Sequence, residues 1–140
     1  LMMYHTMSIS PFNVIEEAGT AVLTLTEGLE KDEFLASRLT RAETRRQLHL
    51  MSAAALLLSA EIHALMVEID WDGWRTLDQR LATSDQAADI LLWLAVRALA
   101  PDTLMWLRVY RKNQPEWFKE DAMKADVCYP AISPGTGACP

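Results

Sequence analysis

The amino-acid sequence predicts an all-α protein, an up-and-down bundle of four principal helices with an additional short helix. Three observations carry that expectation. Apolar residues recur at three- and four-residue steps from Phe12 to Tyr110, the period of helices with one buried face. Residues that start or stop helices, among them Ser10, Pro11, Gly28, Asp70 and Pro101, fall at the ends of these stripes. No alternating strand pattern precedes the Pro- and Gly-rich end of the chain.

Ser10 followed by Pro11 begins the first helix. The serine side chain accepts from first-turn N–H groups that lack a helical partner, and proline loses nothing at the first position. Phe12, Ile15, Ala18, Val22 and Leu25 form its stripe, and Gly28 offers a C-terminal stop. The polar segment LEKDEFLASRL leads to a second helix, with Thr40 and Glu43 as a reciprocal capping box. Its stripe, Leu48, Met51, Ala55, Leu58, Ile62 and Leu65, keeps a helical period for about seven turns. Ala53, Ala54, Leu56 and Leu57 widen that stripe, as suits a central helix with more than one neighbour. Asp70 caps a shorter third helix carrying Trp71, Trp74, Leu77 and Leu81. Ser84 is the expected cap of a fourth, QAADILLWLAVRALA, which Pro101 stops; Asp102 then caps a fifth with Leu104, Trp106, Leu107 and Tyr110. From residue 115 onward Pro and Gly puncture every helical period, so the segment reads as loop. The expected organisation is an extension over 1–10, a helical domain over 11–114 and a tail over 115–140.

The 140 residues suffice for one domain with its own core. A hydrophobic share of 51% with 23% charged residues is that of a globular chain rather than a disordered one or a rod. The net charge of −6 argues against a broad nucleic-acid-coating surface, which needs many phosphate-facing cations. The apolar runs SAAALLLSA and ILLWLAV are shorter than the roughly 20 residues of a membrane-spanning helix, so no membrane is expected. Cys128 and Cys139 have no metal-ligand spacing, and neither metal nor cofactor is expected; whether the two are disulfide-linked is open. The opening LMMYHTMSISPF lacks a basic-then-apolar leader layout, which makes cytoplasmic residence the expectation; a natural start at Met7 would make the preceding residues an extension.

Several polar groups are candidates for chemistry. Arg38, Arg41, Arg45 and Arg46 form the densest basic patch, with the first three along one helical side. They are candidate contacts for phosphate or an acidic partner, against the simpler alternative, favoured here, of a solvated face paired with Glu43 and nearby acids. Arg108, Arg111 and Lys112 make a weaker cluster with the same alternative. His49 and His63 share the expected second helix about 21 Å apart, too far for one metal, and His5 lies in the extension. Glu61 precedes His63 by two residues rather than the three of di-iron bundles. Of five tryptophans, Trp71, Trp93 and Trp106 are expected in the core, whereas Trp74 and Trp117 are candidate interface anchors, with the core favoured for the set. Glu68, Asp70, Asp72, Asp78 and Asp85 make the third helix acidic, which helix capping explains more simply than a bound cation.

The run from Phe34 to Trp71, with the residues just before it, carries a resemblance. TEGL before DEFL, then LT at 39 and 40, Arg46, Leu48, the alanines 54 and 55, Leu58, Ser59, Glu61 and finally EIDW ending at Trp71 come in order and in register. This pattern resembles the HepT-like ribonucleases of the HEPN superfamily, small all-helical proteins encoded beside minimal nucleotidyltransferases. Asp89 and Trp93 look like that family's Asp and Trp on the following helix, and the likeness covers roughly residues 12 to 112. In the family an Arg and an Asn follow the Trp, then a His and a Tyr. Arg and His form the ribonuclease site, and the Tyr is modified by the partner enzyme.

In the same register this chain has Asp78 at the Arg position, Gln79 at the Asn, Thr83 at the His and Asp85 at the Tyr, with Ser52 and Ala53 in place of a Gly-Glu pair. A threonine hydroxyl does not titrate where an imidazole does, and an aspartate repels the phosphate that an arginine fork would hold. The resemblance with these departures implies a scaffold with a silent site. The chain is expected to act as a binding module, dimeric, in a toxin-antitoxin-type pair with a nucleotidyltransferase. The first alternative is a divergent ribonuclease that acts on RNA through Arg80 or the Arg45/Arg46 pair with another base. The second is a structural homodimer with an unrelated partner.

Overall fold

The computed structural model describes residues 10–83 and 85–124, with side chains through residue 119. Every regular element among them is helical: α1 (Pro11–Thr26), α2 (Lys31–Ala36), α3 (Arg38–Leu57), α4 (Ala60–Leu65), α5 (Trp71–Arg80), α6 (Gln86–Leu94), a π-helical turn (Ala95–Leu99), α7 (Ala100–Asn113) and α8 (Pro115–Lys124). His5, Ser84, Cys128 and Cys139 lie outside the described residues.

α1 forms as its residues dictate. The Ser10 hydroxyl accepts from the Phe12 N–H at 3.2 Å, and Pro11 opens the first turn. At the other end Gly28 takes a φ of 78°, a left-handed conformation that glycine adopts without a Cβ penalty, and the chain turns there toward α2.

The boundaries of the next two helices differ from the expectation. Residues 31–36 form a short helix, closed by reciprocal bonds between Glu30 and Glu33, with the Glu30 N–H donating to Glu33 Oε1 at 2.8 Å. The cap of α3 is Ser37 and not Thr40; its hydroxyl accepts from the Thr40 N–H at 3.3 Å. The long stripe to Leu65 is also broken. Leu58 is extended (ψ 147°), and the Ser59 hydroxyl accepts from the Ile62 N–H at 3.2 Å, which starts α4 as a separate helix. Serine competes for backbone donors and favours such a cap, while the apolar spacing alone does not register the break. His49 and His63 consequently lie on different helices.

Pro101 does not stop a helix. α6, the π turn and α7 run on as one helix from Gln86 to Asn113. Proline has no N–H and crowds the carbonyl four residues back; the ladder widens just before it, with the Ala100 N–H donating to the Ala95 carbonyl. Asp102 therefore sits inside a continuous helix and caps nothing. The 28 residues of this helix include an 18-residue window of mean hydropathy 1.5, long and apolar enough to cross a bilayer by those measures, of which 39% is buried within the fold. Pro115, read as the start of a loop, instead opens α8, whose first position needs no N–H.

One core joins these elements. α3 lies along α1 and also meets α2, α5 and α6, while α7 packs on α1 and α8 closes over α1 and α7. Leu48, Met51, Ala54 and Ala55 of α3 are fully buried, and burial of each larger side chain contributes about 1.5–3 kcal/mol. Phe34 reaches Trp93 with ring centroids 5.3 Å apart, and Phe118 of α8 reaches Phe12 at 4.4 Å. Trp71 and Trp93 are buried as expected, with Trp106 partly so. Trp74 corrects the interface expectation. It is fully buried within the chain, and its indole N–H donates to the Thr103 hydroxyl at 3.0 Å, tying α5 to α7.

Candidate functional site

α3 presents Arg41, Arg45, His49 and Ser52 at steps of four, four and three residues, which place them along one side of the helix. That side forms a polar seam with α5 and α6. Arg41 donates to the Leu35 carbonyl and lies 3.6 Å from Asp89 of α6. Arg45 donates to the Leu81 carbonyl at 2.7 Å and lies 3.9 Å from the other Asp89 oxygen. Both arginine side chains are about three-quarters buried, and they share one carboxylate. Asp89, expected only as a family-like residue, is thus the counter-ion of the patch.

Further along the seam, the Ser52 hydroxyl is shared between the His49 carbonyl at 3.0 Å and Asp78 Oδ1 at 3.2 Å. His49 Nδ1 lies 3.9 Å from the same aspartate oxygen. From sequence His49 reads only as a satisfied or exposed histidine. The signal available was its place one turn beyond Arg45 on the same side; the partner, Asp78, comes from a helix whose docking the spacing does not specify.

The remaining positions do separate tasks. The Thr83 hydroxyl donates to the Arg80 carbonyl at 2.9 Å and closes the turn after α5. Asp85, rather than Ser84, caps α6, accepting from the Ala88 N–H at 2.8 Å. Gln79 and Arg80 are exposed at the end of α5, where a cation suits the negative end of the helix dipole. Asp78, Thr83 and Asp85 therefore do not converge on a point: one is bound to α3, one to its own turn and one to the next helix.

The four arginines also separate. Arg38 is exposed, and Arg46 makes a bidentate pair with Glu43 at 2.7 and 3.1 Å. The Arg46 hydrogen bonds, followed by one from Gln47, hold the Glu43 carboxyl down at about 2, and the same pair raises Arg46. This matches the solvated-face alternative for Arg46. Elsewhere, His63 Nε2 lies 2.8 Å from the Ala55 carbonyl and its ring stacks on Trp71 at 4.2 Å, an anchor for α4. Arg111 of the weaker cluster pairs with Glu16 at 2.8 Å and covers the Phe118 ring. Trp117 is partly buried beside Tyr110. Among the described residues no three His, Cys, Asp or Glu side chains gather as a cation site.

No protein-family model matches this chain, and neither does any curated protein or solved structure.

Proposed function

We propose that this chain is a HepT-like helical-bundle protein that has lost ribonuclease chemistry and works as a binding module, dimeric and cytoplasmic, beside a nucleotidyltransferase in a toxin-antitoxin-type pair. The observation that carries the reading is the fate of the positions where the chemistry would sit. Asp78 is held by Ser52, Thr83 by its own turn and Asp85 by the start of α6, so no imidazole or guanidinium stands at any of them. The two arginines of α3 that face the seam, Arg41 and Arg45, share Asp89 and donate to backbone carbonyls, so both forks are already engaged. Purified full-length protein incubated with tRNA leaves the RNA intact, and the product of a neighbouring nucleotidyltransferase gene co-purifies with it. Turnover that disappears when a residue of α5 or α6 is replaced sinks the reading.

His49 favours a second reading, the divergent ribonuclease. An imidazole 3.9 Å from a carboxylate is within ion-pair range though beyond a direct hydrogen bond, and a small approach of the two on substrate binding would make a base and its orienting acid, with Arg45 one turn away along the same side. In that case tRNA fragments form with wild-type protein and vanish with His49→Ala. The exposed Arg80 and the Arg46–Glu43 pair supply no comparable arrangement.

A further inference from the structure

The face of α5 turned away from the polar seam borders a groove of about 370 Å³ against the continuous helix Gln86–Asn113. Leu77, Leu91, Leu99 and Trp106 make its walls apolar. Small residues keep it open. Ala95 and Ala98 of the π turn line one side, and Gly73 faces them. A Cβ on Gly73 would lie 2.5 Å from Asp70 Oδ2 and 3.1 Å from a Leu99 methyl, so a larger residue there would displace the Asp70 carboxylate that caps α5.

Two further properties say what covers the groove. The long helix is more apolar than its burial warrants: 39% of its apolar window is inside the fold, and Leu94, a lining residue, is 56% exposed. The lining residues Leu91, Leu94, Ala98 and Asp102 recur at steps of three and four, a helical stripe on which no helix lies among the described residues. The charge is one-sided as well. Glu68, Asp70 and Asp102 are exposed carboxylates on the lining, and no lining residue is a lysine, arginine or histidine. A second copy of the chain would set these carboxylates against their own images, and like charges brought together are costly.

We infer that this groove docks an amphipathic helix of a protein partner, apolar on the face laid against Leu94 and Ala98 and rich in lysine or arginine along its edges. The inference rests on the binding-module reading but needs neither the family resemblance nor a silent polar seam. Apolar contact along the stripe supplies the affinity, and the carboxylates select the sign of the partner and its approach.

The test titrates the protein into a fluorescently labelled Leu/Lys amphipathic peptide of about 16 residues, which as a helix spans roughly 24 Å and so covers the roughly 16 Å from Leu91 to Asp102. A Leu/Glu peptide of the same pattern is the control. The Leu/Lys peptide binds and the control does not, and binding weakens as salt rises. Leu94→Asp lowers the affinity at least about tenfold: the leucine has about half of its transfer energy still to gain, and a covered carboxylate adds a desolvation cost. Because Leu94 is exposed, circular dichroism and sedimentation of that variant match wild type. Glu68→Lys with Asp102→Lys lowers Leu/Lys binding and admits the Leu/Glu peptide. Equal binding of both peptides by wild type, or Leu94→Asp binding as tightly as wild type, overturns the inference. So does a wild-type dimer that Leu94→Asp dissociates, which would make a second copy the occupant. RNA cleavage sinks the preceding reading and leaves the peptide result standing, whereas absent peptide binding with intact RNA sinks the groove alone.

Discussion

Thr103→Val tests the joint on which both faces of α5 depend. Thr103 is 1% exposed and Trp74 fully buried, and their 3.0 Å bond is the indole N–H's partner. Valine keeps the shape and removes the acceptor, and with both side chains enclosed the N–H is left in an apolar setting. An orphaned buried donor costs about 1–3 kcal/mol, offset in part by the added methyl, so the net loss is about 1–2 kcal/mol. With a urea m-value of about 1–3 kcal/mol/M, the unfolding midpoint falls by roughly 0.3–2 M. Far-UV circular dichroism follows the transition, since the remaining tryptophans would mix in a fluorescence signal. Trp74→Phe removes the donor instead, and the freed threonine hydroxyl can turn to the carbonyl four residues back on its own helix. The double variant is then less destabilised than the sum of the singles by about 1 kcal/mol. A Thr103→Val midpoint equal to wild type, or strict additivity in the cycle, refutes the reasoning: the bond would contribute nothing to holding α5 on α7.

Other measurements follow from equally local causes. Gly73→Ala fails to stabilise the protein despite alanine's advantage of about 1 kcal/mol in a helix, because the new Cβ pushes out the Asp70 carboxylate that caps α5 at 2.9 Å; in an Asp70→Ala background the same change stabilises by about 0.5–1 kcal/mol in urea unfolding. Thr44→Val raises the unfolding midpoint, corresponding to about 0.5–1.5 kcal/mol, since the buried Thr44 hydroxyl has no hydrogen-bond partner among the described residues and a methyl has none to lose. Glu43, observed by carboxyl NMR, titrates near 2 rather than at its ordinary 4.5, and Arg46→Ala moves it back up. Its folded-state value is the depressed one, so what the pair contributes is present above 4.5 and fades as the pH falls toward 2.

Side chains that act on their own backbone were legible in the sequence. Ser10, Gly28 and Asp70 sit where reading places them, because a cap or a left-handed turn is decided within a few residues. Legibility failed where a residue had two permitted roles. Ser59 lies inside an unbroken apolar period yet serves as a cap, and Thr40 and Glu43 have capping-box spacing while Ser37 three residues earlier takes the position. Pro101 was read as a stop because proline breaks an i→i−4 ladder, but a one-residue widening at Ala95–Leu99 carries the helix past it. Trp74 shows the same ambiguity in packing: an aromatic with one N–H suits a wet interface or a dry core, and Thr103, 29 residues away in sequence, decides between them. The seam was half legible. Periodicity aligned Arg41 with Arg45, but Asp89 and Asp78 reach them and His49 only through the docking of α5 and α6.

These contacts also separate the two kinds of partner electrostatically. A polyanion approaching the seam meets Arg41 and Arg45 already shared by Asp89, with Asp78 beside them, so it gains little from cations it does not find free and meets carboxylates it must oppose. A polycation approaching the groove meets Glu68, Asp70 and Asp102 with no basic side chain on the lining, and each pair it forms is new. The chain's net charge of −6 acts in the same direction at longer range, steering cations in and phosphates away within about 10 Å of the surface at ordinary ionic strength. Salt therefore distinguishes the readings without a variant. If a basic helix is the partner, its association slows and weakens as ionic strength rises. If RNA is the substrate, raising salt first relieves repulsion from the acidic surface, and cleavage at low salt improves before it declines.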